Sequence, residues 1–197
     1  VIGNAAYKNI PALGNSTNDA KSMAVVLRKL GFSVVEVVDG NKDQMSKAID
    51  QMQFQLKGKQ AVGMLYYAGH GLQLDWHNYM VPVDAQLRAA GDVPTQTVDV
   101  NAVIEAFKVA GNRMNILVLD ACRDSPFASS GAATGKGLAQ LDAPPGTFLA
   151  FATAPVGAGL FPRNFIERIF RNSPGRRTRC GRCAALSAGR AVRRGHT

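Results

Sequence analysis

Two short segments of this chain hold the residues that could carry out covalent chemistry. One ends in Gly69-His70-Gly71, and the other, Asp120–Asp124, has Cys122 at its centre. A cysteine attacks a carbonyl carbon as its thiolate and needs a nearby base that can later return a proton. His70 suits both roles because an imidazole titrates near neutral pH. The pair predicts a thiol hydrolase, most directly a cysteine peptidase.

The elements that must position these two residues are strands. Apolar runs at 61–67 and 116–119 precede them and are typical of buried strands. In an open α/β sheet, ligands bind at the carboxyl ends of neighbouring strands, so His70 and Cys122 are expected at one edge. The glycines beside His70 predict a sharp turn there. The backbone N–H groups of Gly71 and Cys122 are the expected donors to the oxyanion of a tetrahedral intermediate.

Apolar periodicity along the chain predicts an α/β fold. Three helices are expected: one capped by Thr17 or Asn18 and ending at Leu30, one over 42–56 with Phe54 and Leu56 toward the sheet, and one over 100–109. Strands are expected at 32–38, 60–68, 115–121 and 147–153, with a hairpin of 72–74 and 78–81. This alternation indicates βαβ units and a mostly parallel sheet with helices on both faces.

Charge divides the chain into two parts. Residues 1–155 hold 13 basic and 13 acidic side chains, whereas residues 156–197 hold ten arginines and one glutamate. The first part is interpreted as the folded domain. The second is interpreted as a basic tail, either disordered or translated from GC-rich DNA in a shifted frame. Because the sequence opens at Val1–Gly3 in what resembles a strand already under way, the domain is expected to be incomplete at its start.

Several classes of function lack their sequence signals. No apolar run approaches the roughly 18–20 residues of a membrane-spanning helix, so no membrane partner is expected. The first strand is not followed by the Gly-x-Gly-x-x-Gly pattern of dinucleotide-binding proteins. Three cysteines are too few for a disulfide framework, and Cys180 and Cys183 have no second ligand pair for zinc. No metal site and no cofactor is predicted. A cytoplasmic location is favoured, although a missing N-terminus could have held a signal.

Five stretches carry a resemblance to a known family: VIGNAAYKNIPALGNSTNDA, YYAGHG, VPVDA, LVLDACRD and FLAFATAP. Together they resemble the caspase-like cysteine peptidases of clan CD, family C14, and most of all the bacterial metacaspase or orthocaspase relatives. The resemblance implies a three-layer caspase-like sandwich and a catalytic dyad of His70 and Cys122. Because it stops after Pro155, where the family continues with further strand and helix, the domain is expected to be incomplete at both ends. The spacing between His70 and Cys122 is close to the roughly 50 residues found in caspases. Calcium activation is common among metacaspase relatives, but no acidic cluster here identifies a site.

The substrate preference follows from a charge argument. Asp120 precedes Cys122 by two residues, where caspases that cut after Asp carry Gln. A carboxylate at that position would pair with Arg or Lys and repel an acidic side chain. In metacaspases a second acid in an Asn-Asp-Ala segment joins it, and Asp19 matches that acid. Asp19 could instead complete a helix N-terminus, where acids are favoured. The expected substrates are proteins or peptides with Arg or Lys before the scissile bond.

Other readings of these residues remain open. The chain could be a catalytically inactive caspase-like binding module, which the presence of both His70 and Cys122 disfavours. The arginine-rich tail could neutralise nucleic-acid phosphates, but no aromatic residue follows Phe170 to stack on bases. Lys136 is a basic loop residue that such a peptidase could cut in itself. His77 is interpreted as a surface residue. The oligomeric state is left undetermined.

Overall fold

A computed structural model describes residues 1–122 and 145–152 of the chain. Within these ranges the helices are α1 (Ser16–Lys29), α2 (Lys42–Leu56), α3 (Asp92–Gln96) and α4 (Val100–Ala110). The strands are β1 (Ile2–Gly3), β2 (Val37–Val38), β3 (Val62–Leu74), β4 (His77–Met80), β5 (Val98–Asp99), β6 (Met114–Cys122) and β7 (Thr147–Ala152).

The strands form one mostly parallel sheet with an antiparallel branch. Its parallel part has the order β2-β1-β3-β6-β7, and β3 continues past this part to pair with β4, which pairs with β5. The long central strand β3 therefore belongs to both parts of the sheet. This architecture confirms the predicted α/β class and matches a caspase-like sandwich.

Helices cover both faces of the sheet. On one face, Met45 and Ile49 of α2 and Val103 and Phe107 of α4 pack with odd-numbered apolar residues of β3 and β6, among them Leu65. Because successive strand residues point to opposite faces, the even-numbered residues of these strands lie on the face of α1. Burial of the apolar side chains on both faces is the main contribution that holds the layers together.

Local sequence explains where several elements begin and end. Asn41 forms a capping box with Gln44 at the start of α2, and Gly111 ends α4 in a left-handed conformation. Asp75 and Trp76 both have positive φ and form the two-residue turn between β3 and β4. This turn type matches the twist of a hairpin. The predicted hairpin and the predicted bounds of α2 are thereby confirmed.

Four expectations about the elements were wrong. Helix α1 has Asn15 at its N-cap, so Thr17 and Asn18 lie inside its first turn rather than capping it. The expected strand at 32–38 is shorter in the structure and consists only of β2. The reason is that β1 pairs with Val37 and Val38, the last two residues of the expected strand. Phe54 is 81% exposed instead of packing on the sheet, since it lies off the α2 stripe that carries Met45 and Ile49.

The fourth error concerns the segment around His70. The expected turn at Gly69-His70-Gly71 is absent, because β3 runs straight through it to Leu74. Antiparallel pairing with β4 supplies the partners that keep the strand extended beyond Gly71. Helix α3 and strand β5 had not been anticipated from the sequence.

Candidate active site

His70 and Cys122 occupy paired positions on neighbouring strands. They are the last partners of the parallel ladder between β3 and β6, which begins with Val62 and Met114. Neighbouring strands in a sheet lie about 4.8 Å apart, so the two backbones are immediate neighbours. The fold thus brings together two positions that are distant in sequence.

The imidazole of His70 is held by a backbone carbonyl. Its Nε2 atom lies 2.8 Å from the carbonyl oxygen of Pro11. A carbonyl can only accept a hydrogen bond, so Nε2 carries the proton. In the neutral ring, Nδ1 then has the free lone pair that a general base requires. Proline at position 11 contributes through its main chain, and only the fold shows this contact.

The backbone of His70 is held by two tyrosine hydroxyls. Its N–H donates to Tyr7 Oη at 2.7 Å, and its carbonyl accepts from Tyr67 Oη at 2.6 Å. The same carbonyl also accepts from the N–H of Val81 at 3.1 Å. A Cβ atom at Gly69 would lie 2.6 Å from each of the two phenol oxygens. Glycine is therefore needed at position 69 for the hydroxyls to approach the strand.

The two N–H groups predicted to bind an oxyanion lie on facing strand edges. Because the His70 carbonyl bonds to Val81 on the β4 side, strand alternation directs the Gly71 N–H toward β6. The Asn115 N–H bonds on the β7 side, and the same alternation directs the Cys122 N–H toward β3. In a continuous ladder such groups pair with the opposite strand. The N–H groups of Gly71 and Cys122 can bind a substrate oxygen only if β3 and β6 separate at the His70–Cys122 pair, the last of their ladder.

The two predicted specificity residues line one cleft. Asp19 on α1 and Asp120 on β6 share this cleft with Tyr66 of β3 and with Asn18, Ser22, Met23 and Val26. Asp120 is the ladder partner of Ala68, two residues before the His70–Cys122 pair. Tyr66 is four residues before His70 on the same strand and hence on the same sheet face. The cleft and the paired dyad positions are therefore adjacent.

Burial governs the titration of this cleft. It raises the pKa of Asp120 above its ordinary value, and the charge of Asp19 adds to the rise, whereas a hydrogen bond from Tyr66 opposes it. Burial also raises the pKa of Asp19. Desolvation and the nearby Asp120 carboxylate raise the pKa of Tyr66, so its hydroxyl remains a donor. The site is a partly desolvated anionic cleft suited to a cationic side chain.

Sequence reasoning missed Tyr7, Pro11, Tyr66 and Tyr67 as parts of the site. All four lie in the stretches that carry the family resemblance, and this was the available signal. Their roles depend on hydroxyl and carbonyl contacts across strands, which residue type and spacing do not specify. His77, in contrast, lies at the surface as expected, with its Nδ1 atom 2.9 Å from Asp99 Oδ2.

Several predictions fall outside the described residues. They concern the self-cleavage site at Lys136, the tail at 156–197 and the cysteines at 180 and 183. Among the residues the structure does describe, no group of three or more His, Cys, Asp or Glu could hold a metal ion. No helix in those same ranges has the length and apolar character needed to cross a membrane.

Comparison with known proteins identifies the family. The caspase domain of the Peptidase C14 family matches residues 1–173. This chain belongs to the Peptidase C14 family. Its C14 match runs beyond residue 155, where the motifs that carry the resemblance end, and covers the dyad positions, the acidic cleft and the first part of the basic segment.

Two curated relatives of this chain are mammalian. The mucosa-associated lymphoid tissue lymphoma translocation protein 1 of Homo sapiens and its homolog in Mus musculus are each 32% identical to this chain over 123 residues. The match covers 62% of this chain but only 14% of each relative's length. The assignment to a caspase-like family is thereby confirmed. The narrower assignment to bacterial metacaspases stays a prediction.

Proposed function

We propose that this C14 domain is a cysteine endopeptidase in which His70 and Cys122 form the catalytic dyad. The observation that carries the proposal is the pairing of these two positions at the end of the β3–β6 ladder. The contact of His70 Nε2 with Pro11 supports it, because this contact leaves Nδ1 as the basic nitrogen. Family membership makes peptide hydrolysis the expected chemistry of such a pair.

The proposed reaction has two steps. The Nδ1 atom of His70 takes the thiol proton of Cys122, and the thiolate attacks the substrate carbonyl carbon. When the tetrahedral intermediate collapses, His70 gives this proton to the departing amine, and a thioester remains. His70 next activates a water molecule, which hydrolyses the thioester to the carboxylic acid and restores the thiol. Opening of the last ladder pair would let the Gly71 and Cys122 N–H groups bind the oxyanion.

The proposed specificity is cleavage after Arg or Lys. Asp19 and Asp120 line one partly buried cleft beside the dyad positions. Two carboxylates there favour a cationic side chain and repel an acidic one. Asp120 is fixed by the hydroxyl of Tyr66, so the carboxylate is oriented before substrate binds. Arg should be preferred over Lys where a bidentate pair forms with a carboxylate.

The dyad is tested with Cys122→Ala and His70→Ala on a peptide that carries Arg before the scissile bond. Each variant should lose at least about 10³-fold in kcat, while its thermal midpoint stays close to that of the wild type. His77→Ala is the matched control and should retain wild-type turnover. Full activity in Cys122→Ala would refute the dyad, and a folded wild type that cleaves no peptide, basic or otherwise, would favour a binding module.

The specificity is tested with two peptides that differ only in arginine or its uncharged analogue citrulline. Wild-type protein should cleave the arginine peptide at least about tenfold faster in kcat/KM, because the ion pair forms only with arginine. Asp120→Ala and Asp19→Ala should each reduce this ratio. The control is Asp50→Ala, a change on the exposed side of α2. If the ratio of kcat/KM for the arginine peptide to that for the citrulline peptide is unchanged in Asp120→Ala, the acidic cleft does not bind the substrate side chain.

A further inference from the structure

We propose that Tyr7 is a positioning residue for the catalytic base, holding His70 by its backbone and by its ring at once. The inference rests on the proposed role of His70 in peptide hydrolysis. It goes beyond that role by assigning a function to a buried tyrosine more than 60 residues away in sequence. The contacts that carry it lie within the described residues.

The first contact interrupts a strand ladder. In a regular antiparallel ladder, every second pair of opposed residues exchanges two backbone hydrogen bonds, and the Val81 N–H bond makes His70 and Val81 a pair of this kind. His70 and Val81 make only one of them, from the Val81 N–H to the His70 carbonyl at 3.1 Å. The N–H of His70 donates instead to Tyr7 Oη at 2.7 Å, and the Val81 carbonyl accepts from Asn4 Nδ2 at 3.0 Å. The phenol oxygen of Tyr7 thus replaces a backbone acceptor at the histidine.

The second contact is between rings. The centroids of the Tyr7 ring and the His70 imidazole are 4.6 Å apart, and the two planes are tilted by 57°. The Pro11 carbonyl bonds to Nε2 of the same imidazole. The imidazole therefore has a packing contact on one side and a hydrogen bond at its edge. Together with the backbone contact, these leave His70 little freedom to shift or rotate.

Tyr7 is itself held in place by the loop that carries it. The N–H groups of Ala5 and Ala6 both donate to Asp39 Oδ1, at 2.7 and 2.8 Å. The next residue, Lys8, donates its N–H to the carbonyl of Val83 at 2.8 Å. The same loop supplies the Pro11 carbonyl. The segment therefore acts as one preformed support that presents a hydroxyl, a ring and a carbonyl to His70.

The proposal predicts an effect on turnover rather than on substrate affinity. A displacement of about 1 Å in a catalytic group can cost up to about 100-fold in rate. Tyr7→Phe keeps the ring but removes the acceptor of the His70 N–H, so we expect kcat to fall about 10- to 100-fold. KM for the arginine peptide should stay within about twofold, because Tyr7 does not line the acidic cleft.

The matched control is Tyr79→Phe. Tyr79 is as deeply buried as Tyr7, each being 8% exposed, and belongs to the same apolar cluster. Within the part of the chain that the structure describes, its ring contact is with His77 and no hydrogen bond joins it to His70, so this variant should keep kcat within about twofold. If Tyr7→Phe and Tyr79→Phe have the same kcat while His70→Ala is inactive, the positioning role of Tyr7 is refuted and the dyad is not.

A second measurement does not depend on peptidase activity. Amide hydrogen exchange at His70 should accelerate at least about tenfold in Tyr7→Phe, because the amide loses its acceptor. Exchange at Val81 should change less, because its N–H donates to the His70 carbonyl and to Tyr67 Oη rather than to Tyr7. If the phenylalanine variant does not fold, 3-fluorotyrosine at position 7 keeps the hydroxyl and should show a smaller change in the same direction. An unchanged His70 exchange rate in a folded Tyr7→Phe protein would overturn the proposal.

Discussion

Tyr66 and Asp120, on neighbouring parallel strands, share a hydrogen bond of 3.1 Å from the phenol hydroxyl to the carboxylate Oδ2 atom. The two strands also hold the dyad positions, and the bond lies on the sheet face covered by α1. Desolvation and the nearby Asp19 disfavour the charged form of Asp120, while Tyr66 favours it. The hydrogen bond from Tyr66 therefore offsets part of the cost of placing a charged carboxylate in this partly buried cleft.

Replacement of Asp120 by Asn should stabilise the fold at neutral pH. The folded pKa of Asp120 lies above its ordinary value of 3.8, so the folded protein binds this proton more readily than the unfolded chain. The contribution of Asp120 to the free energy of unfolding therefore falls as the pH rises through its raised pKa. Asn carries no charge and keeps an oxygen for Tyr66. The variant should unfold at a higher urea concentration at pH 7, with the difference shrinking toward pH 3.8 and below.

The same variant should lose selectivity for the arginine peptide over the citrulline peptide. A gain in stability together with a loss of selectivity is the pattern expected when a residue serves function although it destabilises the fold. If Asp120→Asn is less stable than the wild type at pH 7, the inference that a charged Asp120 destabilises the fold at this partly buried position is wrong.

Tyr66→Phe should shift the pH dependence of arginine cleavage. The hydrogen bond from Tyr66 lowers the pKa of Asp120, so its removal raises that pKa further. The acid limb of kcat/KM for the arginine peptide should move to higher pH, with little change at pH 8. In an Asp120→Asn background the same substitution should leave the acid limb in place, since no carboxylate remains to titrate. A shift that persists in that background would assign the effect to another group.

Gly69→Ala should destabilise the protein by about 1–3 kcal/mol, the usual cost of forcing an extra methyl group into a packed site. The new Cβ atom would lie 2.6 Å from both Tyr7 Oη and Tyr67 Oη. Displacement of these hydroxyls should also reduce kcat. Gly91→Ala is the control, because a Cβ atom there meets nothing within 4 Å. Urea unfolding of both variants measures the difference. Equal urea midpoints for Gly69→Ala and Gly91→Ala would show that Tyr7 and Tyr67 can move aside without destabilising the protein.

Asn4→Ala should cost about 2–3 kcal/mol in the free energy of unfolding, since it leaves the buried Gly40 N–H without its acceptor and takes one donor from the Val81 carbonyl. Asn4 is fully buried, donates to the Val81 carbonyl at 3.0 Å and accepts from the Gly40 N–H at 2.9 Å. Asn9→Ala removes the same side chain from an exposed position of the same loop and should cost less than about 1 kcal/mol. Chemical denaturation of the two variants measures the difference. Similar losses would contradict the assigned role of Asn4.

Local patterns were enough to predict much of the framework. The apolar runs before His70 and Cys122 predicted two neighbouring strands, and the structure makes them the β3–β6 pair. The bounds of α2 followed from its apolar period. Such features depend on periodicity and on capping side chains close in sequence, so they can be recognised without a fold. The two acids expected to share a pocket were identified through the family resemblance.

The sequence by itself determined the α/β class, the residues able to act as base and nucleophile, and the family to which they belong. Only the tertiary structure decided what surrounds His70: a carbonyl from Pro11, hydroxyls from Tyr7 and Tyr67, and a strand that continues where a turn was expected. These contacts join segments far apart in the chain. A residue's type fixes which hydrogen bonds it can make, but packing of distant segments chooses its partner, so this part of the site could not be read from local sequence.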